Sequence, residues 1–159
     1  MVNKKCCSII WSLLFSLLLF SCNENKKLNN HATFGFKNLN SSYDSKTNTF
    51  TRRYGDGDSI QVKITLTTEE KEKIQHTFFE NNFQNLPTTI NCTSWGVHPK
   101  IYDCIFFDGS IVQYIHNSHN KKWLCPSGKK FDKINAVLQD IILNKPEIKE
   151  LQPSGIAYE

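Results

Sequence analysis

The dipeptide Asp108-Gly109 constrains the fold of this chain more than any other short stretch of it. Residues of these two types readily adopt the positive φ angles of the tight turns that join antiparallel strands. The segments on either side, Lys100–Phe107 and Ser110–His116, are rich in the aromatic and β-branched residues that favour strands. The sequence therefore predicts a β-hairpin whose register is counted outward from this turn.

A second hairpin is predicted around the turn-forming residues 55–58, which read Gly-Asp-Gly-Asp. Its strands are Thr47–Tyr54 and Ser59–Leu66. In the latter, isoleucine, valine and leucine alternate with polar residues, and this period of two predicts one buried face and one face in water.

Each predicted hairpin is followed by a helical pattern. Thr67 and Glu70 have the spacing of a capping box and predict a helix that ends near Asn82. A further helix is predicted from about Lys129 to Leu143, where apolar residues recur at helical spacing. The order β-β-α-β-β-α predicts an α+β fold, in which two hairpins form an antiparallel sheet and two helices pack on one face.

The N-terminal residues have the composition of an export signal. Lys4 and Lys5 precede the apolar run Ile9–Phe20, which is shorter than the roughly 18 residues that span a bilayer. Ser21-Cys22 follows the run directly. This arrangement resembles the signal peptide and lipobox of bacterial lipoproteins, and the resemblance implies cleavage before Cys22 and attachment of lipid to it.

The chain as a whole resembles the small single-domain lipoproteins of Gram-negative bacteria. On this reading, residues 1–21 are a signal peptide, residues 22–43 a polar tether and residues 44–159 a single α+β domain. Asn23 follows the lipid-bearing cysteine, as in signals directed to the outer membrane. We therefore expect a lipid-anchored protein of the outer membrane that faces the periplasm or the cell surface.

The charge of the chain argues against nucleic acid as a partner. The 19 lysines and arginines exceed the 15 acidic residues by only four, and two of those lysines belong to the expected signal. The remaining lysines are scattered among acidic residues, whereas nucleic-acid-binding proteins concentrate basic residues on one face.

Three cysteines remain in the expected domain, and the register of the Asp108-Gly109 hairpin selects a pair among them. If that register continues, Cys92 lies opposite Cys125, at a separation typical of cross-strand neighbours and compatible with a disulfide. Cys104 is then a buried free thiol. Linkage of Cys104 to either of the other cysteines is the alternative.

Motifs that would indicate catalysis or cofactor binding are incomplete in this sequence. Ser127-Gly128-Lys129-Lys130 lacks the first glycine of a phosphate-binding loop, and residues 56–58 lack the later ligands of a calcium loop. His98, His116 and His119 with the two cysteines contain zinc-type ligands, but without the usual spacing. We therefore predict no catalytic residues, no metal and no cofactor.

Aromatic residues provide the remaining candidate for a functional surface. The hairpin register brings Trp95 close to Trp123, with His98 nearby. Two tryptophans at a loop end are typical of a patch that binds a glycan or a protein, although they also form small cores. We expect a non-enzymatic domain that binds an envelope protein or a saccharide; the alternative is an inhibitor or immunity lipoprotein that protects the envelope against a lytic enzyme.

Overall fold

The computed structural model describes residue 29 and residues 31–92, 101–116 and 125–154, which form an α+β fold with a seven-stranded sheet. The strands are β1 (Phe34–Lys37), β2 (Ser41–Asp44), β3 (Thr49–Arg53), β4 (Ser59–Lys63), β5 (Thr89–Asn91), β6 (Ile101–Phe107) and β7 (Ser110–His116). The helices are α1 (Thr68–Glu80), α2 (Pro126–Leu143) and the short α3 (Pro146–Lys149). The order across the sheet is β4-β3-β2-β1-β6-β7-β5.

The predicted hairpin at Asp108-Gly109 is confirmed as β6 and β7. Phe107 lies opposite Ser110, and the same register extends to Ile101 opposite His116. Asp108 and Gly109 have φ angles of 45° and 82°, the positive values that this turn requires.

The second predicted hairpin is confirmed as β3 and β4, which pair antiparallel. Residues Gly55–Gly57 form a single 3₁₀ turn between the two strands. The strands are shorter than the sequence pattern indicated, and residues 64–66 already lie outside the sheet while Ile64 and Leu66 remain buried.

The predicted sheet of only two hairpins is wrong, because β1, β2 and β5 also belong to it. β1 and β2 come from the segment that we expected to be a tether, so the packed domain begins before residue 44. Phe34, Phe36 and Tyr43 are each about 1% exposed. Burying three large aromatic side chains stabilises these strands despite the polar composition around them.

The helices α1 and α2 contact the same face of the sheet. Phe78 of α1 stacks on Phe107 at a centroid distance of 4.4 Å, and Phe131 of α2 contacts Tyr114 edge to face at 5.3 Å. Phe107 and Tyr114 lie on one face of the β6–β7 hairpin. The core therefore occupies the space between this face and the helices, and the opposite face of the sheet remains open in the described part of the chain.

The predicted capping box of α1 is present. Thr67 Oγ1 accepts a hydrogen bond from the Glu70 backbone N–H, and the Glu70 carboxylate accepts one from the Thr67 N–H. Lys145 Nζ also donates to Glu70 Oε2 at 2.6 Å. Burial disfavours the charged carboxylate, but these hydrogen bonds and the lysine charge outweigh it and hold the pKa of Glu70 below its ordinary value.

The second long helix begins earlier than the sequence pattern indicated. Its first residue is Pro126, whereas the predicted start is about Lys129, so Ser127 and Gly128 belong to its first turn. Proline suits this position because the first N–H of a helix has no partner within the helix. Among the described residues, no helix is both long enough and apolar enough to span a membrane.

Candidate functional site

Four elements meet at one end of the sheet and define the candidate site. β5 and β7 run parallel to each other and terminate at this end, where the antiparallel β6 begins. The Cα atom of Cys125, just before α2, is 5.7 Å from that of Cys92, just after β5. The chain segments 93–100 and 117–124 therefore both leave and re-enter the described structure at this end.

The predicted cysteine pair is present, since Cys92 and Cys125 are placed as a disulfide. The predicted antiparallel continuation of the β6–β7 register, which selected this pair, is nevertheless wrong. Cys92 follows β5, which pairs in parallel with β7, whereas the prediction required an antiparallel continuation of the β6–β7 hairpin. The cysteines meet because β5 and α2 both reach this end of the sheet.

The disulfide is packed tightly against the start of α2. A Cβ atom added to Gly128 would lie 2.9 Å from Cys125 Sγ and 3.0 Å from Tyr114 Oη. The other sulfur, on Cys92, would be 3.2 Å away. Only glycine allows the helix this close to the disulfide, so the base of the site is a close-packed part of the core.

The aromatic residues predicted for the site fall in the two connected segments. Trp95 and His98 lie in 93–100 and Trp123 lies in 117–124, outside the described residues. Cys22, the predicted lipid attachment site, is also outside them. The Cys92–Cys125 disulfide connects the two segments covalently. Trp95 is three residues after Cys92, and Trp123 is two residues before Cys125.

The third cysteine, Cys104, lies on the open face of the sheet, away from the disulfide. It pairs in register with Lys37 on β1 and Gln113 on β7, and it is half-buried, which differs from the predicted full burial. Partial burial raises the pKa of this thiol, against the opposing effect of the Lys37 charge. Cys104 is therefore a free but weakly ionised thiol at neutral pH.

Two surface features escaped the sequence reasoning. The open face exposes Tyr102 and Ile111, which are 42% and 59% exposed, and a shallow groove of about 610 Å³ runs beside Ile111 and Cys104. A more polar groove of about 460 Å³ lies near Arg52 and the C-terminal residues up to Ser154. Both faces of β6 and β7 carry apolar residues, Tyr102 and Ile111 on one and Phe107 and Tyr114 on the other, so alternation alone does not show which face the helices cover.

The adjacent arginines Arg52 and Arg53 have separate structural partners. Arg52 donates to the backbone carbonyls of Leu151 and Gln152, at 3.1 and 3.0 Å. Arg53 instead donates to the Asn38 carbonyl. These hydrogen bonds hold Leu151, Gln152 and the β1–β2 turn against β3.

Within the described residues, no group of three or more histidines, cysteines, aspartates or glutamates is arranged to hold a metal ion. Comparison with protein-family models, with curated proteins and with solved structures finds no match to this chain. The end of the sheet at the Cys92–Cys125 disulfide, with the two segments joined to it, is therefore the candidate site.

Proposed function

We propose that this protein is a lipid-anchored, non-enzymatic lipoprotein whose domain binds an envelope protein or a saccharide through Trp95, His98 and Trp123. One observation carries the proposal: the Cys92–Cys125 disulfide joins the start of one tryptophan-bearing segment to the end of the other. The anchor at Cys22 would keep this domain at the outer membrane.

The disulfide supports a binding role through conformational entropy. Ordering a binding surface when a ligand binds costs free energy, and a crosslink between the attachment points of its two segments reduces that cost before the ligand arrives. Tryptophan contributes large contact area with few rotatable bonds, which is why it is enriched at the energetic centres of interfaces. Two tryptophans within three residues of one crosslink therefore suit an interaction surface.

The packing beneath the disulfide supports the same role. Gly128 brings α2 against both sulfurs, and Tyr114 and Phe131 pack in the core next to it. A binding surface is most effective when it is attached to rigid elements. The segments are attached here to β5, β6 and β7, which are hydrogen-bonded neighbours in the sheet, and to Cys125 at the start of α2.

The test is a double variant, Trp95→Ala/Trp123→Ala, compared with Ile111→Ala as the matched control. Ile111 is 59% exposed and lies near the opposite end of β7, so its truncation removes apolar surface elsewhere. Binding is measured to purified peptidoglycan sacculi and to a detergent extract of envelope proteins, and thermal unfolding is measured in parallel. We expect the double variant to lose binding with an unchanged melting temperature.

Two results would contradict the proposal. A melting temperature lowered in the double variant alone would show that the tryptophans form a small core over the disulfide. Equal loss of binding in Ile111→Ala would move the interaction to the open face. If the captured partner is a lytic enzyme whose activity the protein blocks, the alternative function as an inhibitor or immunity lipoprotein is the correct one.

The anchor is tested separately by metabolic labelling with radioactive palmitate. We expect label in the wild-type protein and none in Cys22→Ser. Label retained in Cys22→Ser would contradict the lipid attachment without affecting the binding proposal.

A further inference from the structure

The strand β4 forms one edge of the sheet, and its backbone hydrogen bonds show which of its residues face outward. The Tyr54 N–H donates to the Asp58 carbonyl, and the Ile64 N–H donates to the Asn48 carbonyl. Hydrogen-bonded pairs alternate along an antiparallel ladder, so Ile60 and Val62 bond to β3. The backbone groups of the alternate residues 59, 61 and 63 therefore point away from the sheet.

This outward edge is accessible within the described part of the chain. Ser59, Gln61 and Lys63 are exposed, and Ile60 is 45% exposed on the side of the sheet that faces the helices. Edge strands commonly carry a lysine that deters pairing with another strand. Here Lys63 Nζ instead donates to the Thr47 carbonyl and to Thr49 Oγ1, both at 2.8 Å, so its charge is held over the sheet.

We propose that β4 pairs antiparallel with β4 of a second copy of this chain, around a two-fold axis through Gln61. This register places Gln61 opposite its own equivalent and Ser59 opposite Lys63 of the other copy. All the outward N–H and C=O groups of residues 59, 61 and 63 then form hydrogen bonds, six in number by the antiparallel pattern. The two sheets join into one continuous sheet.

Side chains favour the second copy as the occupant, because β4 is complementary to itself in this register. Ile60 lies opposite Val62 of the other copy, so the exposed isoleucine gains an apolar neighbour on the helix side of the sheet. Lys63 lies opposite the neutral Ser59 of the other copy. A two-fold axis through Lys63 would instead place the two lysines, which carry like charges, opposite each other. Both copies use the same surface in this interface, so the assembly is complete with two copies.

The interface is small, with five residues from each copy, so we expect a weak dimer that depends on protein concentration. Sedimentation equilibrium on the full chain, with detergent micelles in large excess over protein, measures the association. Gln61→Pro removes one outward N–H from each copy and places a proline ring in the β4–β4 interface. It keeps every backbone hydrogen bond between β4 and β3. Gln61→Thr is the matched control, since it keeps the N–H and favours strands.

The proposal predicts a dimer for wild type and for Gln61→Thr, and a monomer for Gln61→Pro with unchanged far-ultraviolet circular dichroism. A charge pair gives an independent test if the proline variant fails to fold. Gln61→Glu and Gln61→Lys should each dimerise roughly three- to tenfold more weakly than wild type, and an equimolar mixture should recover association as a heterodimer.

Three results would overturn the proposal. A wild-type protein that stays monomeric at all concentrations would show that β4 does not recognise itself, even if a strand of another protein binds there. Folded Gln61→Pro that dimerises like wild type would place the contact elsewhere. Charge variants that associate as strongly alone as when mixed would exclude a two-fold axis at Gln61.

Discussion

Removing the disulfide should destabilise the domain by several kcal/mol, because the crosslink closes a large loop. Cys92 and Cys125 are 33 residues apart. In the chain-entropy treatment, a loop of this length restricts the unfolded chain by about 3.8 kcal/mol at 25 °C. That is a large share of the 5–15 kcal/mol typical of domains. We expect the variant Cys92→Ala/Cys125→Ala to melt roughly 10–15 °C below wild type.

The measurement is equilibrium unfolding in guanidinium chloride, followed by circular dichroism, for wild type with and without reductant and for the double variant. Reduced wild type and the double variant should have similar free energies of unfolding, because the crosslink is absent from both. Cys104→Ala is the control. Because Cys104 is a free thiol, this variant keeps the Cys92–Cys125 crosslink, so reductant should lower its free energy of unfolding by the same amount as in wild type.

A double variant whose free energy of unfolding is less than about 1 kcal/mol below that of oxidised wild type would refute the stabilising effect of the crosslink. Peptide mapping under non-reducing conditions provides a second check. It should recover Cys92 linked to Cys125, and a linkage that contains Cys104 would contradict the placement of the pair.

Two further predictions concern the sheet and the helix interface. Gly35→Ala should lower the free energy of unfolding by about 3 kcal/mol, since a Cβ there would collide with a backbone carbonyl of β2 and with the Phe106 ring. Gly55→Ala is the control and should be neutral, because a Cβ at Gly55 has nothing within 4 Å. Equal unfolding midpoints for the two variants would contradict this packing. Glu70→Gln should lose about 1 kcal/mol at pH 7, because glutamine keeps the capping box but not the charged bond to Lys145. Folding lowers the pKa of Glu70, so the charged carboxylate contributes fully to stability above the ordinary pKa of 4.5, and this contribution is lost as the pH falls below that value. A difference in free energy of unfolding between wild type and Glu70→Gln that persists at pH 2 would refute the role of the charge.

Local signals in the sequence predicted the elements whose structure depends on neighbouring residues. The Asp108-Gly109 turn determines the β6–β7 register over seven residue pairs, and the capping box determines the start of α1. Both depend on contacts within a few residues, which are visible in the sequence. The start of α2 carried such a signal in Pro126, a residue favoured at the first position of a helix.

The elements that escaped prediction are short strands stabilised by distant partners. β1 and β2 have four residues each and β5 has three, too few for a periodic pattern. Phe34 and Phe36 are buried on the face that the helices cover, where β1 lies beside β6, about 70 residues along the chain. The parallel pairing of β5 with β7 likewise has no local signature, which is why the correct cysteine pair followed from an incorrect register.

The central claim is that the tryptophans tied to the Cys92–Cys125 disulfide contact the partner. Site-specific photo-crosslinking in the native cell tests it most directly, with a photoreactive phenylalanine analogue placed at Trp95, at Trp123 or, as control, at Ile111. We expect the same crosslinked product from positions 95 and 123, and none from position 111. Products from position 111 alone, or equally from all three positions, would contradict it.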